Sequence, residues 1–437
     1  MIWFLDFLIF CNLIIPAIFV SRNCLSKNGV EVDHNLLFSV GFIFYCVTPV
    51  ILGLIGFERN ARIFSPWYEI FNQLSNFDLV LYLLICLLFY VAFVFGDLIG
   101  KSIVLKRSLE RVPFDERLLH VFWFMGIVLA GIYSYKLWDV FFTGYSKGGW
   151  HFGKGTFTAI SVYLLVLALI YSVKKQERLG ASSGFFRSII NKYFALYLVV
   201  SILLMSLGGR MWFVSTVLML IVYRTVYFKR IKYITFASII IFFAILAPMF
   251  AHIRTGKEIG VDDLTNIAYV KNMGNIFFSD SMFISAGLFD FIKNNTMPIV
   301  SFPKYLISRF LNIIPSFLWP LKAGFILHPA HDGYSFFSVY GALHPFIATI
   351  TNFGAIGGII VPFSLSACLG FLKKDKRYLS KVMYILITGW IALIFFRDFN
   401  NAIIKLIIEF SIVIPIFIGF ILHIVPIAAR AFKLNKA

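Results

Sequence analysis

Charge is the scarcest property of this sequence. Asp, Glu, Lys and Arg make up only 14% of its 437 residues, and the acids number 21 against 39 bases. A soluble domain must cover its surface with polar groups, so a chain that is 60% hydrophobic, with 52 Phe, does not belong to that class. Cysteine is also sparse. Cys11, Cys24, Cys46, Cys86 and Cys368 form no CxxC pair and four lie inside apolar runs, which argues against a disulfide framework and a zinc site. No internal repeat and no low-complexity tract is visible. The first apolar run, "IWFLDFLIFCNLIIPAIFV", has neither a basic leader nor a small-residue cleavage site, so it reads as a retained span rather than a signal peptide.

What the chain does have is apolar runs from end to end. They predict one integral membrane domain over 1–437, an all-α polytopic bundle. Eleven spans are expected, at 2–20, 36–56, 78–99, 118–137, 156–173, 193–209, 211–228, 233–252, 346–371, 380–396 and 402–426. The connecting segments alternate in charge. Six of them, among them "KSIVLKRSLERVPFDER", "KKQERLGASSGFFRSIINK" and "KKDKRYLSK", hold 23 of the 39 Lys and Arg. By the positive-inside rule these face the cytoplasm, with the N-terminus outside and the C-terminus inside. The net charge of +18 is then an orientation signal, not evidence of a nucleic-acid partner.

Residues 253–337 break the pattern. The stretch is too long for a simple connection and too polar for a span, and it carries Pro298, Pro303, Pro315, Pro320 and Pro329. It is expected to be a long external loop containing short helices. One of these starts at Pro303 and carries Lys304 and Arg309 beside apolar residues, as a helix lying in the membrane interface would. A lid packed on the bundle is the other reading.

Tyr193 to Phe228 as one helix would be about 54 Å long, far more than a hydrocarbon core of about 30 Å. Both flanks are basic, so the chain must cross and return, turning at Gly208-Gly209-Arg210 in "SLGGRMWF". Arg210 then sits near the start of the returning helix, where free N–H groups, the helix dipole and a guanidinium fork suit a phosphate. A snorkelling arginine that meets lipid headgroups is the plainer alternative. By the same parity Arg254 and Arg397 also fall at external helix ends. Charges at membrane depth are costly, and three converging arginines would make an anion clamp that needs no metal.

His344, before Pro345 and ten residues ahead of the glycine-rich turn Gly354–Gly358, is a candidate general base. A buried histidine bonded to a carbonyl is the alternative. Asp332 and Asp398 are other candidate bases, although Asp398 follows Arg397 and can simply pair with it. His328 and His331 are poorly spaced for a metal. Asp6, Asp97 and Glu409 lie within spans and are expected to partner polar groups inside the bundle.

"SLGGRMWF", "IPSFLWPLK", "ITNFGAIGGIIVPF" and "FFRDFNNAI" occur in the order seen in Wzy-type O-antigen polymerases, and from Ser206 to Ile403 the chain resembles that family. The first half resembles it in topology alone. The resemblance implies a GT-C-like, metal-independent membrane glycosyltransferase without a cofactor, in the bacterial inner membrane, with its site facing the periplasm. Its substrates would be an undecaprenyl pyrophosphate-linked glycan donor and acceptor, and a chain-length regulator protein is a possible partner. Carried over by position, Arg210, Arg254 and Arg397 would grip pyrophosphate, with Arg309 and Lys322 assisting from the loop. His344 resembles the histidine that O-antigen ligases place before a glycine. The interval differs, with nine residues between His344 and Gly354 where ligases usually have ten. Many members of the family also have two large external loops rather than one. Trp212, Trp319 and Tyr334 would stack on sugars or anchor at the interface. The competing readings are a flippase or other transporter of lipid-linked oligosaccharide, and an O-antigen ligase.

Overall fold

A computed structural model describes residues 2–59, 64–103, 115–141, 154–179, 184–207, 210–241, 267–314, 318–338, 343–391, 394–395 and 399–434. Among these the chain is mostly helical, with one short antiparallel pair of strands, Leu25–Ser26 and Gly29–Val30. Seven helices are long and apolar enough to cross a membrane: Trp3–Arg22 (α1), His34–Leu54 (α2), Asn76–Ser102 (α3), Glu116–Lys136 (α4), Lys154–Leu179 (α5), Gly357–Lys374 and Phe399–Ile424. Shorter apolar helices fall where three more spans were expected, at Lys192–Ser206 (α6), Trp212–Tyr227 and Tyr378–Ile391. The eleventh expected span, 233–252, is helical over 233–241, and its remainder lies outside the described residues.

Capping residues fix where these helices begin. Ser75 and Asp78 form a reciprocal box at the start of α3, with the Ser75 N–H donating to Asp78 Oδ2 at 2.8 Å and the Asp78 N–H donating back to Ser75 Oγ at 3.2 Å. Asp33 accepts the Leu36 N–H at 3.0 Å and starts α2. Asn191 does the same for α6 through the Phe194 N–H, at 3.0 Å. Exposed apolar side chains such as Trp3, Phe7 and Phe10 on α1, and Val121, Phe124 and Met125 on α4, face outward. In water they would form an adhesive surface; against lipid chains they need no cover.

The expected hairpin is present: α6 ends at Ser206 and the next helix, α7, begins at Arg210 and runs to Tyr227. The segment 253–337 departs from expectation. Its described part opens with a 28-residue helix, Ile267–Asn294 (α8), where short helices were predicted. The polar residues that made it look like a loop lie largely along the helix interior: Ser281 and Ser285 are buried beside Met282, Ala286, Leu288 and Phe289. Ser285 accepts the indole N–H of Trp67 at 3.0 Å. The short helix at Pro303 is found, spanning Lys304–Ser308 (α9) and followed by a tight 3-10 turn at Arg309–Ile313.

The expected span at 346–371 is two helices, Pro345–Phe353 (α10) and Gly357–Lys374 (α11). Gly354, with φ at 77°, makes the break, and a side chain there would put its Cβ 2.4 Å from the Ile299 carbonyl oxygen. Pro345 through Asn352 are all buried, so α10 is a core helix. Tyr378–Ile391 (α12) and Phe399–Ile424 (α13) complete the bundle. The tightest helix pair is α3 with α11, which approach through Gly96 and Gly100.

Candidate functional site

The predicted site residues fall into two groups. Arg254, Arg397 and Asp398 lie outside the described residues. Arg210 is the first residue of α7, the helix start expected for it, and its side chain is likewise outside the described part. The other candidates, His344, Arg309, Lys322, Trp319 and Tyr334, are described.

His344 caps α10: the Phe346 N–H donates to its Nδ1 at 3.2 Å, and Pro345 occupies the first helical position. The side chain is 2% exposed, and its Nε2 finds no hydrogen-bond partner among the described residues. Buried polar atoms are seldom left unpaired, so this nitrogen, like Asn400 Nδ2 and Glu409 Oε2 of α13, is open to a partner. The Phe346 ring lies 4.2 Å from that of Phe89, at the middle of α3, which puts the start of α10 deep within the bundle. The chain entering α13 meets it there, with the Phe399 N–H donating to the Leu343 carbonyl at 3.2 Å.

Asparagines tie the proline-rich segment to this core. The Asn352 side chain accepts the Leu306 N–H of α9 at 2.7 Å and donates to Asn400 Oδ1 at 2.9 Å. Asn312 donates to Asn401 at 3.1 Å, and the Ser301 hydroxyl donates to the Thr351 carbonyl at 3.0 Å. Residues 301–313 are therefore a lid bonded across α10 and the first residues of α13, which is the second of the two readings offered for this stretch.

Within that lid, Arg309 begins the turn that packs on α13. Lys322 is 8% exposed and its ammonium donates to the Ile314 carbonyl. Burial, and then the nearby charge of Lys405, lower its pKa, while Glu409 works in the opposite sense. Lys322 thus meets α13 near Lys405 and Glu409. Trp319 packs on Phe325 with ring centres 5.3 Å apart, and Tyr334 stacks on Phe291 at 5.8 Å. Trp212 is half-buried, edge-on to Trp390 at 5.0 Å. Lys304 pairs with Asp332 at 2.7 Å, which commits that carboxylate to the lid.

A second polar centre lies at the lysine-rich end of the bundle. His34 is fully buried, its Nδ1 3.0 Å from the Tyr384 hydroxyl and its Nε2 2.9 Å from Asp97 Oδ1. Asp97 also accepts from Asn35 at 3.0 Å and from Lys101 at 2.5 Å, so it partners polar groups inside the bundle as expected. Asp33 accepts from Lys373 at 2.6 Å, and Lys373 bridges to Glu31 at 2.7 Å. The sequence reading missed His34, Lys373 and Tyr384. The run "EVDHN" at the mouth of a span was the available signal, since consecutive polar residues entering an apolar helix call for buried partners. Lys405, four residues from Glu409 in "IIKLIIEF", was missed in the same way.

Among the described residues no three His, Cys, Asp or Glu side chains gather closely enough to hold a metal ion. Comparison with protein-family models, with curated proteins and with solved structures finds no match for this chain.

Proposed function

We propose that the chain is a glycosyltransferase of the bacterial inner membrane that polymerises undecaprenyl pyrophosphate-linked oligosaccharide repeat units into O-antigen or a similar surface polysaccharide. The observation that carries this reading is the Nε2 of His344, buried and without a partner among the described residues, at the start of a broken core helix whose other end is bonded to the lid that carries Arg309. The chemistry asks for such an arrangement. Negative charge grows on the pyrophosphate as the glycosidic bond breaks, and pre-placed cations stabilise it more in the transition state than in the ground state. Arg210, Arg254 and Arg397 are assigned to that charge, with Asp398 beside them. His344 is assigned to the acceptor hydroxyl, taking its proton as the oxygen attacks the anomeric carbon; in-line attack inverts that carbon. Trp319 and Tyr334 would meet sugar rings where the lid opens. The site faces the periplasm in this reading.

One observation favours a different class. The His34–Asp97 pair is buried inside apolar helices, with Lys101 reaching it from a half-buried position, and broken helices with intramembrane charges are features of transporters. A flippase for lipid-linked oligosaccharide is the second reading. Proteoliposomes loaded with one cognate lipid-linked repeat separate the two. Longer glycan chains on the lipid support the polymerase; movement of unextended lipid-linked repeat across the bilayer refutes it in favour of the transporter.

A further inference from the structure

At the lysine-rich end the helices leave a cavity of about 350 Å³, lined by Glu31, Lys101, Val226, Tyr227, Lys373, Lys374, Asp375, Lys376 and Lys381. That volume falls within the range of small-ligand sites. Five lysines face two carboxylates, and both carboxylates are already engaged. Glu31 is held by Lys373 at 2.7 Å and Arg230 at 2.8 Å; Asp375 is held by Arg377 at 2.5 Å and the Ser380 hydroxyl at 2.7 Å. Lys101, Lys373 and Lys381 are each paired with an acid: Asp97, Asp33 and Glu177 respectively. Among the described residues Lys374 donates to the Lys101 carbonyl and forms no ion pair, and Lys376 is exposed and forms none either. Tyr227 lines the cavity, and its hydroxyl is buried with no hydrogen-bond partner among the described residues. Two uncommitted ammonium groups and an orphaned phenol O–H thus share one concave site.

We propose that this cavity seats a phosphate group, with Lys374 and Lys376 supplying charge and Tyr227 donating one hydrogen bond. The ligand class is a phosphate ester or free phosphate, and a bilayer offers the first as the headgroup of an anionic lipid. The site is separate from the one assigned to chemistry: its lining comes from the lysine-bearing ends of α3, α7 and α11 and the start of α12, and contains neither His344 nor any lid residue.

The test uses the full chain in detergent, titrated by native mass spectrometry with phosphatidylglycerol and with phosphatidylcholine, and by thermal shift with inorganic phosphate. Saturable binding of phosphatidylglycerol over phosphatidylcholine is expected, weakened about thirtyfold in Lys374→Gln/Lys376→Gln, since each lysine near a headgroup contributes roughly a fivefold attraction. Lys229→Gln/Lys232→Gln removes the same charge from the same end and should bind as the parent does. Competition by inorganic phosphate would identify the isolated anion as sufficient; binding of phosphatidylglycerol without competition would identify the lipid. Equal losses in both double variants, or no preference between the lipids, overturn the proposal. Should the first double variant misfold, Lys376→Glu alone reads the same site, and unchanged binding there also overturns it.

Discussion

Adding one methyl group between α3 and α11 should loosen this protein measurably. A Cβ on Gly96 would sit 2.1 Å from the Phe363 carbonyl oxygen, and one on Gly100 would sit 2.0 Å from that of Ala367. Carbon and carbonyl oxygen in favourable contact are about 3.3–3.6 Å apart, so either substitution forces the helices more than about 1 Å apart. A gap of that size forfeits a large part of the dispersion attraction along the seam. Overpacking of this kind costs about 1–3 kcal/mol, and Gly100→Ala should fall near the upper end because the obstructing atom is backbone. One displacement relieves both clashes, so Gly96→Ala/Gly100→Ala should cost little more than the worse single change. Reversible unfolding in mixed micelles measures it. Gly131→Ala, on the exposed face of α4 with nothing within 4 Å of its Cβ, is the control and should gain up to about 1 kcal/mol from helix propensity. Parent-like stability of Gly100→Ala would refute the close approach.

Other outcomes follow from single contacts. Asp97→Ala leaves His34, Asn35 and Lys101 without their acceptor and should cost about 3–5 kcal/mol in the same assay, while Asp97→Asn, which keeps an acceptor oxygen, should cost less. Asn352→Leu removes the acceptor for Leu306 and should speed protease cleavage within 301–313 about tenfold, equivalent to about 1.4 kcal/mol. Asp332 is held below the ordinary carboxylate range by the hydrogen bond from Lys304, and the same contact raises Lys304. The pair's contribution is therefore full between the two ordinary values, about pH 4 and about pH 10; it fades as acid protonates Asp332 and as base deprotonates Lys304. Hydrogen exchange in α9 should be flat between those limits once the intrinsic rate is removed, and should rise outside them. His344→Ala should lower polymerisation by about a hundredfold or more and, because it also removes the cap of α10, cost about 1 kcal/mol in the unfolding assay; normal activity would dismiss the imidazole as the base.

Much of the membrane fold was legible because lipid imposes a simple rule. A helix that must satisfy its backbone internally needs a long apolar run, and such runs can be read directly. The hairpin at Arg210 followed from helix length together with the basic flanks on both sides. At Gly354 the glycine-rich turn was visible, but not that it divides 346–371 into two helices; the approach of the Ile299 carbonyl to the glycine shows why the chain must break there. The helix α8 was hidden because its serines are buried against other helices, where a hydroxyl bonds its own backbone, as the Ser281 hydroxyl does to the Phe278 carbonyl at 2.9 Å. Among the candidate site residues, His344 and Arg309 were visible as polar groups beside apolar runs. The partnership of Asn352 with Leu306 and Asn400 joins residues far apart in sequence, and no local pattern records it.

The most direct test of the central claim incubates purified protein with a cognate undecaprenyl pyrophosphate-linked repeat unit in EDTA and resolves the glycans on a gel. The account predicts a ladder of lengthening chains from the parent protein and none from folded Arg210→Ala. An undiminished ladder from Arg210→Ala would remove that arginine from the pyrophosphate clamp. No ladder at all from the folded parent protein would contradict polymerase function itself.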